Sequence, residues 1–286
     1  MKLSIITVNY NDATGLERTI KSVISQTFHD YEFIIIDGGS TDGSVNIIKK
    51  YEQYINYWIS ERDGGIYPGM NKGLRQAKGE YVNFMNGGDS YHSADVLERI
   101  FSLDINADII TGAHFGSPHP NVGKNGISLL SLYTGAVDHQ ASFIRREIAL
   151  RHPYDEDFKI VSDWKFFIQA LIFDNCSFYY TNTIVVDVDM TGISNTNRSL
   201  DRKERENVLH ELFSERVLQD YQLLSSIHPD LLEIAPYISK SKSIQRFIIR
   251  IALLLLKIRG IWAYKTDDHL YFPNKRGHEE LSHFIG

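Results

Sequence analysis

The chain has 286 residues, 43% of them apolar and 23% charged, which is an ordinary globular composition and enough to bury a sizeable core as one large domain or one domain with an appendage. A single cysteine, Cys176, excludes an intrachain disulfide framework, and no Cys/His spacing suggests a zinc site. The net charge is −6, but Lys240, Lys242, Arg246, Arg250, Lys257 and Arg259 give +6 to residues 240–260 with no acid among them, leaving −12 for the rest; so acidic a body argues against general nucleic-acid binding.

In chain order, Leu3 to Val8 is an apolar, β-branched run closed by the polar cluster Asn9 to Asp12 and reads as a buried strand. It is too short for a signal peptide, and no stretch of about 20 uninterrupted apolar residues predicts a transmembrane helix, so the expected location is the cytosol. A helix follows with Leu16, Ile20, Val23 and Ile24 on one face. Phe33 to Ile36 is a second buried strand, stopping at Asp37-Gly38-Gly39-Ser40. Val45, Ile48, Tyr51 and Ile55 mark another helix. Tyr57 to Ser60 is a short strand before Asp63-Gly64-Gly65, and Pro68 falls in the first turn of a helix running toward Lys78-Gly79. Tyr81 to Met85 is a strand ending at Asn86-Gly87-Gly88-Asp89. Beyond it, the spacing predicts a helix over 93–101, a strand over 108–111, a long loop over 112–126, a strand over 141–144, and a helix carrying Trp164, Phe167, Ile168, Leu171 and Ile172. Strands near 177–180 and 184–188, a loop over 190–194 and a polar helix over 199–224 complete the reading.

This alternation predicts an α/β fold: a mostly parallel twisted sheet with helices on both faces. Asn9, Asp37, Asp63 and Asp89 all follow C-terminal strand ends, the edge where open α/β sheets bind ligands, and so outline one candidate cleft. Asp37 can accept hydrogen bonds from a ribose or a base, or can serve with Asp42 as a turn former and cap. The run lacks both the Gly-Lys-Ser/Thr ending of a phosphate loop and the dinucleotide fingerprint. Asp89 suits a hard cation held together with substrate phosphates, and equally an acidic turn. Asp163, in the first turn of its helix, is a candidate general base, with Ser162 and Asp163 as simple caps the alternative.

These segments together resemble glycosyltransferase family 2. Leu3-Ser4-Ile5-Ile6-Thr7-Val8-Asn9-Tyr10-Asn11 is similar to its opening strand, followed by Ser25-Gln26-Thr27. Ile34 to Gly43 resembles "V-D-D-G-S-T-D-G". Ser60 to Tyr67, with Met70-Asn71-Lys72-Gly73, resembles the capsule and colanic-acid branch. Phe84 to Asp89 resembles that branch's "F-L-N-S-G-D" form of the D-x-D region, and Ser162-Asp163-Trp164 the segment bearing the base.

The resemblance covers roughly residues 1–195 and implies a GT-A fold, an inverting mechanism, a nucleotide-diphosphate sugar donor, UDP in the first instance, and Mg²⁺ or Mn²⁺. It implies that Thr7, Asn9 and Asp37 hold base and ribose, that Asp63, Asn71 and Asn86 add donor contacts, that Asp89 ligates the metal at the diphosphate, and that Asp163 is the general base. His139-Gln140 resembles an "H-Q" pair near the donor sugar or acceptor. Gly38 and Gly88 stand where the wider family often has acids, and Pro68-Gly69 where the branch often has Asp-Ala. The expected division is a nucleotide-binding half, 1–90, an acceptor and catalytic half, 91–195, and a helical C-terminal extension, 196–286. The acceptor implied is a glycan or lipid-linked glycan of bacterial surface polysaccharide synthesis. Within 240–260 the basic and apolar residues fall on opposite helical faces, predicting a helix lying in the cytoplasmic membrane interface. The rival readings are a sugar nucleotidylyltransferase, which should show a basic Gly-rich loop where Asn9-Tyr10-Asn11-Asp12 stands, and a non-catalytic nucleotide-binding, membrane-associated protein, which should have lost Asp89 or Asp163.

Overall fold

The structure is a computed structural model and describes residues 1–116, 127–189, 197–227, 229–258, 264–265 and 270–271. The expected loop at 190–194 and most of that at 112–126 lie outside the described residues. The chain divides into two compact units, 1–225 and 226–286.

The first unit is built on an eight-stranded sheet. Its strands are β1 (Leu3–Asn9), β2 (Tyr31–Asp37), β3 (Tyr57–Ser60), β4 (Tyr81–Phe84), β5 (Ser90–Tyr91), β6 (Ile109–His114), β7 (Ser142–Arg145) and β8 (Phe178–Asp187), in the order β3-β2-β1-β4-β7-β6-β8-β5. The half from β3 to β4 is parallel throughout, as the apolar runs with polar ends predict. Beyond β4 the sheet is mixed: β7 inserts antiparallel between β4 and β6, β6 pairs parallel with β8, and β5 returns antiparallel on the outer edge. The two strands expected near 177–180 and 184–188 are one strand, β8, running unbroken over Phe178–Asp187.

Helices cover both faces. On one side α1 (Ala13–Ile24), α2 (Ser44–Lys50) and α4 (Val96–Phe101) pack on Leu3, Ile5, Phe33 and Ile35. On the other, α3 (Ile66–Gln76), α6 (Arg146–Arg151) and α7 (Ser162–Ile168) pack on Ile6, Val8, Ile34 and Ile36. Alternate residues of each central strand therefore serve opposite cores, which is why these strands are apolar throughout. Helix α1 starts where the Asp12 side chain accepts from the Gly15 N–H at 2.8 Å, and Leu16, Ile20 and Val23 bury its apolar face. Pro68 occupies the first turn of α3, where its missing N–H leaves no bond unmade. The second expected helix stops at Lys50, before Tyr51 and Ile55, and a short turn over Glu52–Tyr54 follows.

Two short helices, α5 (Leu129–Thr134) and α6, had no expected counterpart. The long polar helix over 199–224 is two helices, α8 (Arg198–Leu212) and α9 (Glu215–Ser225), both within the first unit. The second unit holds α10 (Pro229–Ser239) and α11 (Lys242–Ile258), the latter spanning most of the basic, apolar segment.

Helix α3 lies close on β1 because Gly73 faces the sheet: a Cβ there would sit 2.4 Å from Ile6 Cγ2, inside a fully buried layer. Alanine favours helix more than glycine does, but overpacking a core costs more. Gly73→Ala should therefore lower unfolding stability by about 1–3 kcal/mol, read as a drop in urea midpoint at constant slope; an unchanged midpoint would show that α3 can withdraw freely.

Candidate active site

The strand ends form a cleft from short-range polar bonds. Asp37 has no exposure to water. Its Oδ1 accepts from Asn9 Nδ2 at 2.9 Å and Ser40 Oγ at 2.6 Å, and its Oδ2 from the Ser40 N–H at 2.9 Å and Ser60 Oγ at 2.6 Å. Burial works to raise its carboxyl, but these four donors outweigh burial and hold it below the ordinary range. Asn11 Oδ1 accepts from the Thr41 N–H at 2.8 Å, joining the loops after β1 and β2. The Tyr10 ring, 67% exposed, stands at the rim beside Gly38, and a Cβ on Gly38 would lie 3.3 Å from that ring and 3.1 Å from Asp63 Oδ1. Asn9 Oδ1 and Asp63 Oδ2 are buried acceptors with no partner among the described residues.

Two residues that the resemblance places at the nucleotide are engaged inside the fold. Thr7 is fully buried and donates to the Met85 carbonyl at 2.6 Å, tying β1 to the end of β4. Asn71 clamps the segment before α7: its Nδ2 donates to the Tyr154 carbonyl at 2.7 Å and Glu156 Oε1 at 2.9 Å, and its Oδ1 accepts from the Tyr154 N–H at 2.9 Å. Both N–H groups of that amide are taken.

The remaining expected residues come together from distant segments. Asp163 Oδ1 lies 2.9 Å from the Tyr67 hydroxyl, whose single proton it shares with the Ile160 carbonyl at 2.6 Å, and Oδ2 accepts from His139 Nδ1 at 2.9 Å. Helix α7 has Val161 at its N-cap and no side-chain cap, and the Asp163 carboxylate meets His139, Tyr67 and the backbone of Trp164. Burial works to raise the Asp163 carboxyl, but the hydrogen bond and charge of His139, followed by the Tyr67 hydroxyl, hold it below the usual range. In the reverse sense, burial works against the His139 imidazolium, and Asp163 together with the nearby Asp89 raises it. The Asn86 amide lies 3.3 Å from His139 Nε2. A protonated His139 donates from both ring nitrogens, so the amide oxygen belongs on that side, which gives Asn86 Oδ1 the partner it otherwise lacks among the described residues.

Asp89 is 5% exposed. Burial, the dominant influence, pushes its carboxyl up to about 6, against the lowering effects of the Asp189 N–H, the His139 charge and the Gln140 side chain. His139 and Gln140 are thus neighbours of Asp89 as well as of the cavity described below. Asp189, which the sequence reading passed over, donates its N–H to Asp89 Oδ1 at 2.8 Å, and its own carboxylate pairs with Arg18 at 2.8 Å. Gly88 makes this approach possible. Its φ is +100°, and a Cβ would meet Asp189 Oδ2 at 3.0 Å. Asp189 therefore stands beside the position where the wider family often has an acid. Among the described residues no cluster of three or more His, Cys, Asp or Glu side chains is arranged to hold a metal. A hard divalent cation that also takes substrate phosphates needs only one or two carboxylates, and the buried, strained charge of Asp89 with Asp189 next to it fits that need.

On the far side of His139 a cavity of about 540 Å³ opens, lined by Asp163, Trp164, His139, Gln140, Asp138 and His114, and by Arg198, Asp201, Arg202 and Arg205 of α8. The volume is of the size that takes a small-molecule substrate.

Comparison with known proteins shows the family and the fold. The family model described as glycosyl transferase family 2 matches residues 4–148. An uncharacterized glycosyltransferase of Mycobacterium tuberculosis is 33% identical over 202 residues, covering 67% of this chain and 76% of that protein. The crystal structure of Staphylococcus aureus TarS 1–349 with UDP-GlcNAc superposes with a TM-score of 0.62 at 20% identity, covering 73% of this chain and 64% of that one. The mannosyltransferase PcManGT of Pyrobaculum calidifontis, solved with GDP-Man and Mn²⁺, gives 0.56 at 14% identity, covering 86% and 82%. The fold is GT-A.

The burial of Asp89 has a consequence for stability. Its folded-state value of about 6, against an ordinary 3.8, means that it favours the fold below pH 4 and that this contribution is lost as pH rises through 6. The whole effect is about 3 kcal/mol in metal-free protein. Asp89→Asn keeps the shape without the charge. It should raise the metal-free melting temperature at pH 8, barely change it at pH 4, and abolish stabilisation by UDP with Mn²⁺. A variant that UDP and Mn²⁺ still stabilise as they do the wild type would remove Asp89 from the metal site.

Proposed function

This chain belongs to glycosyl transferase family 2, and from that premise we propose that it transfers a sugar from a nucleotide-diphosphate donor, UDP in the first instance, to an acceptor hydroxyl with inversion at the anomeric carbon. The observation that carries this reading is Asp163: a largely buried carboxylate, kept ionised by His139 and Tyr67, on the wall of a cavity large enough for an acceptor sugar. Held there, it accepts the proton of an acceptor hydroxyl, whose oxygen then attacks the anomeric carbon as the bond to the nucleotide diphosphate breaks. One displacement inverts the centre and needs no protein nucleophile.

The donor lies along the strand ends. The Tyr10 ring offers a face for the base, and Asn9 Oδ1 and Asp63 Oδ2 are acceptors waiting for N–H or O–H donors of the nucleotide. Asp37 acts through Asn9, Ser40 and Ser60 by fixing the cleft floor. Asp89 and Asp189 would hold Mg²⁺ or Mn²⁺, which would supply charge neutralisation for the leaving diphosphate. Asn86 and Gln140 orient His139 and Asp89. The nucleotidylyltransferase alternative finds no support in the loop after β1, whose polar groups cross-link it to residues 40–42 and which carries no cation.

The acceptor, on this proposal, is a glycan or lipid-linked glycan of a bacterial surface polysaccharide, met at the inner face of the cytoplasmic membrane. Helix α11 supports the membrane contact. Within its unit Ile244, Phe247, Ile248, Ile251 and Leu255 are exposed on one face, and Lys242, Arg246 and Arg250 are exposed on the opposite one. No helix among the described residues is long and apolar enough to cross a membrane; an amphipathic helix with a basic face lies in the interface instead.

Asp163→Asn should bind UDP with Mn²⁺ as the wild type does and lose transfer by about 10²–10⁴; full transfer would overturn its role as base. His139→Gln removes the strongest influence lowering the Asp163 carboxyl, so the acid limb of the kcat profile should move to higher pH. A limb that stays in place would assign the pH dependence to another group. Phe247→Asp with Ile251→Asp should abolish sedimentation with phosphatidylglycerol vesicles and leave donor hydrolysis unchanged, and equal sedimentation would detach α11 from the membrane.

A further inference from the structure

The cavity beside Asp163 holds more positive charge than its acids balance. Three carboxylates line it, and each has a partner. Asp138 faces His114 Nδ1 at 2.7 Å, Asp163 faces His139 Nδ1 at 2.9 Å, and Asp201 accepts from Arg205 Nε at 3.3 Å. Two more guanidinium groups line the same cavity, Arg198 and Arg202, and among the described residues neither has a hydrogen bond or ion pair.

Their placement is fixed by the fold. Glu204 of α8, 6% exposed, accepts from the Lys159 N–H at 3.0 Å and the Ile160 N–H at 2.9 Å, and Val208 is fully buried. These contacts dock α8 on the segment leading into α7. Positions 198, 202 and 205 then fall on one helical face. Arg205 lies 4.5 Å over the Trp164 ring and donates to the Gly135 carbonyl at 3.2 Å, which anchors it in the wall. Arg198 is the first residue of α8, where a cation opposes the helix dipole, so its own helix gives it no electrostatic support.

We propose that Arg198 and Arg202 bind an anionic group, a phosphate ester or a carboxylate, on the acceptor whose hydroxyl Asp163 deprotonates. This rests on the transferase reading above and names the class of acceptor for that same site. Guanidinium forks match both oxyanions bidentately. The proposed donor diphosphate is a different anion, assigned to Asp89, which does not line this cavity although its neighbours His139 and Gln140 do. An acceptor gripped by its anion at α8 presents a neighbouring hydroxyl toward Asp163, so the arginines select and orient the acceptor and take no part in proton transfer.

The test is calorimetric titration of the full chain, saturated with UDP and Mn²⁺, using glucose 1-phosphate, glucuronate and methyl glucoside. At least one anionic sugar should bind ten or more times tighter than methyl glucoside, and the ranking of phosphate over carboxylate identifies the anion. Arg198→Gln with Arg202→Gln should erase that preference while leaving UDP affinity and the melting curve unchanged. Equal binding of the three sugars, or a preference that survives in the double variant, overturns the proposal. So does a double variant that loses UDP affinity, which would assign the arginines to the donor diphosphate. Failure of UDP to bind the wild type counts against the transferase reading instead, and the anion preference is then read from the same titrations without UDP.

Discussion

The cleft depends on one carboxylate that water does not reach. Asp37 ends β2, and in the parallel register it stands opposite Asn9 at the end of β1 and Ser60 at the end of β3. Its two oxygens bind side chains from both neighbours and from the turn at Ser40, so three strand ends are drawn to one point. A buried carboxylate is costly unless its lone pairs are met, and here all four directions are. The consequence reaches the surface. The Asn9 amide, turned toward Asp37, leaves its oxygen facing the other way, and the loops carrying Tyr10 and Asp63 take positions on either side of Gly38. Rigid placement of loops on such a scaffold is what a binding edge of an α/β sheet requires.

The chemical end of the site is assembled differently. Tyr67, Asn86, His139 and Asp163 come from four separate segments, and their hydrogen bonds span 24 to 96 residues of sequence. Their geometry depends on packing: Tyr67, Trp164 and Phe166 belong to the core between α3 and α7, and Asn71 ties α3 to the chain ahead of α7. Mutations in that core should act on catalysis through position, because small displacements of a base from its hydroxyl are expensive in rate.

The parallel half of the fold was legible because its strands are buried on both faces and end in polar clusters, a pattern that local sequence carries in full. The second half was less so. Nothing in the composition of residues 142–145 says that they enter the sheet between β4 and β6 in the opposite direction; that is a choice made by tertiary packing. Asn9, Asp37, Asp63 and Asp89 were legible as a group at strand ends and Asp163 at the start of a helix, while His139 entered only through motif resemblance, which could not separate a side chain that faces the cleft from one that braces it, as Thr7 and Asn71 do. Asp189 was missed because Val186-Asp187-Val188-Asp189 reads as the frayed end of a strand, and its meaning arises only when β8 runs past Gly88. Arg202 fell within a polar helix expected over 199–224 and Arg198 just before it, and nothing in that pattern singled out either residue. A helical pattern shows which residues share a face but not that the face closes a cavity.

Asp89 and Asp163 show how one pocket gives two carboxylates opposite characters. Both are largely buried, so desolvation raises both. Asp163 has an imidazolium and a phenol within hydrogen-bond distance, and these more than cancel burial. Asp89 has a backbone N–H and a more distant share of the same imidazolium, with the Asp189 charge working against it, and burial wins, leaving it at about 6. Environments that push two acids apart in this way assign their roles. The acid that its neighbours hold ionised is suited to take a proton at neutral pH. The acid that burial makes costly to ionise would gain most from a cation, which would offset that desolvation. His139 joins the two, since its charge lowers Asp163 and also acts on Asp89.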